Sequence, residues 1–267
     1  GPLIIDPAGS EPVAYDRDYI LLLSDYTPLH PHAIMDRLRK GEGYFNYQQT
    51  SWSDDYPLSA EDRRMWGQMR MPATDIADVT GSTYTYLANG RGPEEGLEYL
   101  FRAGERIRLR IINGSAMTFF NLRIPGLPMT VIAADGQNVK PVEVDELQIG
   151  TAETYDVIVE PRAEEAYAIV AESMDRSGMA LAMLASRPGA RAAVPALREP
   201  PLLNMGDMGM NHGDMEGDGG HSMDGMSMRD TALLPPDVKL GPGIDMVSMV
   251  PVDKLGDPGL GLRDVEH

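Results

Sequence analysis

The sequence of 267 residues contains no cysteine, and this absence excludes disulfides, thiolate nucleophiles and thiolate metal ligands. It also has no apolar run that approaches the roughly 18 residues of a membrane span. Basic side chains are scarce, with 23 lysines and arginines against 41 aspartates and glutamates, so the formal net charge is -18. Because phosphate binding needs a basic face, this charge argues against nucleic acid as a partner.

Residues 11–187 consist largely of short apolar or alternating runs. The run Glu105-Arg-Ile-Arg-Leu-Arg-Ile111 alternates strictly, which places three aliphatic side chains on one face and three arginines on the other. Turn signals such as Asn113-Gly114 and Asp135-Gly136 separate it from its successors. Further strands are predicted over 18–25, 117–124, 129–134, 144–149, 154–160, 166–172 and 179–185. Short strands about every ten residues, without helices between them, predict an all-β, antiparallel Greek-key β-sandwich rather than βαβ units.

Two short helices are predicted before the regular strands begin. One covers residues 31–41, and the other covers 59–69 with Ser59 as its N-cap and acidic residues in its first turn. The sequence contains no Gly-x-Ser-x-Gly motif and no phosphate-binding glycine loop. Five histidines without cysteine form no recognisable triad, so nothing in the predicted sandwich indicates catalysis.

The composition changes after residue 187. Residues 190–203 are rich in Ala, Pro, Arg and Leu and are predicted to be a linker. Residues 204–230 lack Val, Ile, Leu, Phe, Trp and Tyr altogether, and we expect them to be disordered because they cannot bury enough surface to offset their ordering entropy. We assign the linker and this segment together to residues 188–235. Residues 236–267 are predicted to connect to a further domain.

Residues 204–230, called here the methionine-rich segment, carry a repeated pattern. Met-x-x-Met-x-Met begins at Met205 and again at Met223, an offset of 18 residues, and the segment holds seven of the 18 methionines of the chain. A thioether is a soft, neutral ligand that selects Cu(I), and imidazole also accepts Cu(II). Methionines usually fill cores, but this segment has no other large apolar residue with which to form one. The candidate copper ligands are Met205, Met208, Met210, His212, Met215, His221, Met223, Met226 and Met228.

Three other motifs have simpler interpretations. His30-Pro31-His32 has a spacing seen at copper and zinc sites, but with no third histidine nearby it is interpreted as a surface pair. Met65-Trp-Gly-Gln-Met-Arg-Met71 has helical spacing at Met65 and Met69, which favours packing over a transient Cu(I) contact. Asn113-Gly114-Ser115 matches a glycosylation sequon, and we interpret it as a tight turn.

Several motifs, in order along the chain, resemble those of one enzyme family. The segments from Glu105, from Ile124 and from Ala152 to Pro161 resemble the central domain of multicopper oxidases. The motifs that start at Leu21, Met65, Asp75 and Tyr84 are similar to those of the CopA-type copper-resistance oxidases, in which a Met/His/Asp-rich insert follows the middle domain. The resemblance implies a cupredoxin-like fold over 11–187. It also implies that residues 1–10 are the exit strand of a preceding cupredoxin domain and that 236–267 lead to a third.

The resemblance implies a periplasmic, three-domain oxidase that reduces oxygen at copper centres in its first and third domains. Those centres need about ten histidines and one cysteine, whereas this chain has five histidines and no cysteine. We therefore expect a fragment that is inactive alone, with copper ions and the flanking cupredoxin domains as its partners. Two alternatives remain open, namely a stand-alone module that sequesters or delivers copper and a structural interaction domain with an incidental methionine tail.

Overall fold

A computed structural model describes residues 2–5, 9, 11–47, 58–69 and 72–203 of the chain. The methionine-rich segment, the predicted connector over 236–267 and residues 1, 6–8 and 10 of the predicted exit strand lie outside these ranges. No helix within the described ranges is long and apolar enough to cross a membrane.

The described residues form two β-sheets with two short α-helices between the first strands. The helices are α1 (Pro31–Leu38) and α2 (Ala60–Met69), and 3₁₀ turns cover Glu42–Tyr44 and Pro93–Glu95. The strands are β1 (Arg17–Tyr26), β2 (Thr85–Ala88), β3 (Leu97–Leu100), β4 (Ile107–Asn113), β5 (Phe120–Arg123), β6 (Met129–Ala134), β7 (Gln137–Val144), β8 (Glu146–Ile149), β9 (Thr154–Val159), β10 (Ala166–Ser173) and β11 (Met179–Ala185).

The six-stranded sheet has the order β2-β1-β4-β9-β6-β7, and the five-stranded sheet has the order β3-β11-β10-β5-β8. The prediction of an all-β sandwich is confirmed. The expectation of purely antiparallel pairing is wrong at two places, because β1 runs parallel to β4 and β3 runs parallel to β11. Both exceptions join strands that are far apart in sequence, which a parallel pair requires because a tight hairpin cannot connect it.

The core lies between the two sheets. The alternation predicted in β4 is confirmed, because Ile107, Leu109 and Ile111 are each 0% exposed and pack with residues of the other sheet such as Phe120 and Leu184. The predicted N-cap of α2 is also confirmed, since the Ser59 hydroxyl accepts a hydrogen bond of 3.1 Å from the backbone N–H of Asp62.

The outer face of the six-stranded sheet carries a covered ionic cluster. Arg108 lies opposite the core, as predicted, yet it is only 2% exposed. Its guanidinium donates to Glu11 at 2.9 Å, to Asp18 at 2.6 Å and to the Tyr15 hydroxyl at 2.9 Å, and it lies 4.0 Å from the centre of the Tyr15 ring. The residues that precede β1 therefore fold back over β4 and cover this arginine.

Candidate functional site

The candidate copper ligands Met205, Met208, Met210, His212, Met215, His221, Met223, Met226 and Met228 all lie outside the described residues. The part of the chain that leads to them is described through Leu203. Its geometry gives the position of Leu203, the last described residue before the methionine-rich segment.

Residues 188–203, called here the strap, lie against the outer face of the five-stranded sheet. Side chains alternate along β10, so Ala168 and Val170 face away from the core, and with Met183 they form a small apolar cluster. Ala192 of the strap packs against this cluster. The strap, which falls in the predicted linker, is therefore docked on the sheet.

The strap is held by two arginines. Arg191 forms an ion pair with Glu98 of β3. Arg198 donates two hydrogen bonds to Glu146, at 2.9 and 2.7 Å, and one of 2.6 Å from Nε to Glu172. The backbone N–H of Arg198 also donates to Glu172, at 2.7 Å. Paired, bidentate contacts of this kind restrict both the position and the orientation of a guanidinium.

Glu172 of β10 is fully buried, with a side-chain exposure of 0%. Burial alone raises the pKa of this carboxyl, but hydrogen bonds from the Arg198 backbone, from Arg123 and from the Arg198 side chain outweigh it and hold the pKa below its usual range. The carboxylate is therefore ionised when the strap is docked. Removing Arg198 would leave the buried carboxylate of Glu172 with fewer hydrogen-bond donors. Loss of the strap contact would therefore also destabilise the sheet that carries Glu172.

The strap ends beside α2. The backbone N–H of Leu203 donates to the carbonyl oxygen of Ala73 at 2.8 Å. Leu203 packs against the buried pair Trp66 and Ala73, and Leu58 and Met65 pack against the same pair. The packing interpretation of Met65 is thus supported by its surroundings. Met71 and the side chain of Met69 lie outside the described residues.

The other candidate ligands among the described residues do not form a metal centre. The exposed rings of His30 and His32 stack with their centres 5.2 Å apart, and Nδ1 of His30 accepts a hydrogen bond from the His32 backbone at the start of α1. Met179 and Met183 share one face of β11, but four residues separate their Cα atoms by about 13 Å, too far for one ion. Within the described ranges, no three His, Asp or Glu side chains are grouped as metal ligands.

The resident copper centres of a multicopper oxidase therefore do not fit this domain. A blue-copper site needs a thiolate with two imidazoles, and the whole chain has no cysteine.

Sequence comparisons place these features among known proteins. The profile of the family described as multicopper oxidase matches residues 17–188. The chain is 46% identical to copper resistance protein A of Escherichia coli over 99% of its length, and 44% identical over 99% to the copper resistance protein A homolog of Pseudomonas syringae pv. tomato. It spans about half of these relatives, 51% and 50% of their lengths. The crystal structure of Fet3p, a multicopper oxidase that functions in iron import, aligns with a TM-score of 0.47 at 16% identity, over 70% of this chain and 31% of that one.

Proposed function

Since the chain belongs to the multicopper oxidase family, we propose that it is the non-catalytic middle part of a copper-resistance oxidase and that it captures Cu(I) through its methionine-rich segment. The observation that carries this proposal is the identity of 46% and 44% to copper resistance proteins across 99% of a chain that holds the methionine repeat and no cysteine. In this function, the sandwich spaces two flanking cupredoxin domains, and the parent protein works in the periplasm.

The charge of the chain supports capture of a cation. With a formal charge of -18, the protein raises the local concentration of metal ions around it, while the neutral thioethers select the soft Cu(I) among them. The docked strap supports a role for the sandwich in this capture. It attaches the segment to a folded domain at one defined point, instead of leaving it free from residue 188 onward.

Competition for Cu(I) with a chromogenic chelator under anaerobic, reducing conditions tests the capture function. Changing Met205, Met208, Met210, Met223, Met226 and Met228 to Ala should weaken Cu(I) binding by about a hundredfold or more, which corresponds to about 2.7 kcal/mol. The matched control changes Asp207, Asp214 and Asp218 of the same segment to Asn, which removes charge and leaves every thioether. Equal competition by the wild type and the six-methionine variant would refute the proposal.

Two measurements test the non-catalytic role. The copper-loaded chain should oxidise neither phenols nor Cu(I) above the background of free copper, and measured turnover would contradict the assignment. The coding sequence on either side should continue in frame, with H-x-H segments upstream and an H-C-H motif downstream. In-frame stop codons at both ends would instead support a stand-alone copper-sequestering or copper-delivering module.

A further inference from the structure

A groove lies between the strap and the 3₁₀ turn Pro93–Glu95, on the outer face of the five-stranded sheet. Its volume is 570 Å³, which falls within the range of roughly 300–1,000 Å³ that is typical of sites for small organic ligands. Arg191 of the strap closes it on one side, where a Cβ at Gly96 would lie 2.8 Å from Nη2 of the arginine. The proposed Cu(I) capture does not use this groove.

The floor of the groove is apolar. Side chains alternate along β11, so Met179, Leu181 and Met183 face away from the core and into the groove. Met179 and Leu181 are only half-buried, although β11 lies between β3 and β10 in the sheet. Val194 of the strap is 44% exposed and lines the same groove. The domain therefore leaves apolar surface uncovered here, and unbranched methionine side chains can adapt to the shape of a ligand.

The rim of the groove is acidic. Glu94 and Glu95 are exposed on the 3₁₀ turn, and within the described ranges neither carboxylate has an ion-pair partner. The positive charge of Arg191 is compensated by Glu98, which also accepts a hydrogen bond of 3.2 Å from the backbone N–H of Gly189. Three carboxylates and one guanidinium thus leave the groove with a net negative charge.

We propose that this groove binds small amphiphilic cations, with the ammonium group at Glu94 and Glu95 and an alkyl or aromatic body on the methionine floor. Burial of the apolar body supplies affinity, and the two carboxylates select the sign of the charge. An anion of the same shape would meet these carboxylates without a compensating cation. Binding is reversible and needs no copper, so the site is independent of the proposed Cu(I) capture.

The first test is isothermal titration calorimetry of the full chain with octylammonium in metal-free buffer. Octanoate keeps a similar chain but reverses the charge, and it should bind at least about tenfold more weakly. Hexylammonium should also bind about tenfold more weakly than octylammonium, because it lacks two methylenes that the floor would cover. Equal affinities for octylammonium and octanoate would overturn the proposal.

The second test removes the charge of the rim. Changing both Glu94 and Glu95 to Gln should weaken octylammonium binding about fivefold, as expected for two solvent-exposed carboxylates. The matched control changes Glu143 and Glu164 to Gln, which removes the same charge from exposed positions that do not line the groove. Its affinity should stay within about twofold of the wild type. Equal losses in the two variants would show that the ligand responds to the overall charge of the chain, and would refute the site.

The third test locates the ligand by methyl NMR of protein with isotope-labelled methionine. Octylammonium should shift the signals of Met179 and Met183, which are assigned with Met179→Leu and Met183→Leu. Met35 is the internal control, because it is 50% exposed on α1 and does not line the groove. Its signal should not move. A shift of Met35 as large as that of Met179 would indicate non-specific association and would contradict the proposal.

Discussion

Asp156, on the outer face of β9, makes the stability of the sandwich depend on pH in an unusual direction. It is paired with Arg110 of β4 in the register of the six-stranded sheet. Burial raises the pKa of its carboxyl from 3.8 to about 6, the nearby charge of Arg108 opposes this rise, and Asp18 and Glu11 add to it. Asp156→Asn removes the titratable group and keeps its size.

The sign of the effect is set by proton binding. The folded chain holds the Asp156 proton more tightly than the unfolded chain, so between about pH 4 and pH 6 folding takes up protons and stability falls as the pH rises. A pKa difference of this size corresponds to about 3 kcal/mol at full strength. Because the carboxyl is partly open to solvent, which screens it, we expect about 1–2 kcal/mol. Asp156→Asn should therefore be more stable than the wild type by that amount at pH 7 and equally stable at pH 4.

Urea unfolding at pH 4, 5, 6 and 7, monitored by far-ultraviolet circular dichroism, measures this difference. The control is Asp36→Asn, which removes one charge from the surface of α1, where Asp36 is 69% exposed and lies 3.8 Å from Arg39. Its effect should stay within about 0.5 kcal/mol at every pH. A gain in Asp156→Asn that is the same at pH 4 and pH 7, or a loss of stability at pH 7, would show that burial does not control this carboxyl.

Two further substitutions test the packing of the sandwich. Arg108→Met should cost about 3 kcal/mol in unfolding free energy because it removes the buried guanidinium that pairs with Glu11 at 2.9 Å and with Asp18 at 2.6 Å, and leaves Arg110 as the remaining arginine beside them. Arg106→Met, which breaks a surface pair with Glu160, should cost less than about 1 kcal/mol. Comparable losses in the two variants, measured by urea unfolding, would contradict the ranking. Gly81→Ala should destabilise by about 1–3 kcal/mol because its Cβ would lie 2.3 Å from the carbonyl oxygen of Ser177, whereas Gly41→Ala, with open space around it, should be nearly neutral. A thermal midpoint of Gly81→Ala equal to that of Gly41→Ala would refute the close contact.

Sequence periodicity predicts the faces of the strands better than it predicts their neighbours. The alternation around Ile107 determines which side chains enter the core, and β6 and β10 are predictable because their apolar runs are bounded by turn residues. Periodicity does not predict strand β7, because it is a mostly exposed edge strand that contains Lys140-Pro141. Periodicity also does not predict the parallel pairing of β1 with β4, since it carries no information about which distant strand lies next to a given strand.

For the candidate site too, the sequence predicts one part and not the other. Residue chemistry is sufficient to predict the copper ligands of the methionine-rich segment, and that assignment stays a prediction. The docking of the strap is not predictable from its residues, because Ala, Pro and Arg in 190–203 show neither helical nor strand periodicity. Arg198 contacts partners 26 and 52 residues earlier in the chain, at Glu172 and Glu146. Contacts between residues so distant in sequence depend on the topology of the sheets, which one sequence does not encode locally.

The two parallel pairings impose an order on the folding of the sandwich. Strand β1 is made first on the ribosome, but its partner over Ile107–Asn113 emerges about ninety residues later, so one edge of β1 stays open until then. Strand β3 likewise stays unpaired until β11, the last strand among the described residues, has been made. Closing such long loops before they are stabilised by contacts makes folding slow and exposes unpaired edges to association with other chains. A chain that stops short of β11 would leave β3 unpaired and one edge of β10 open, so synthesis through β11 completes the pairing of the five-stranded sheet before the strap docks on it.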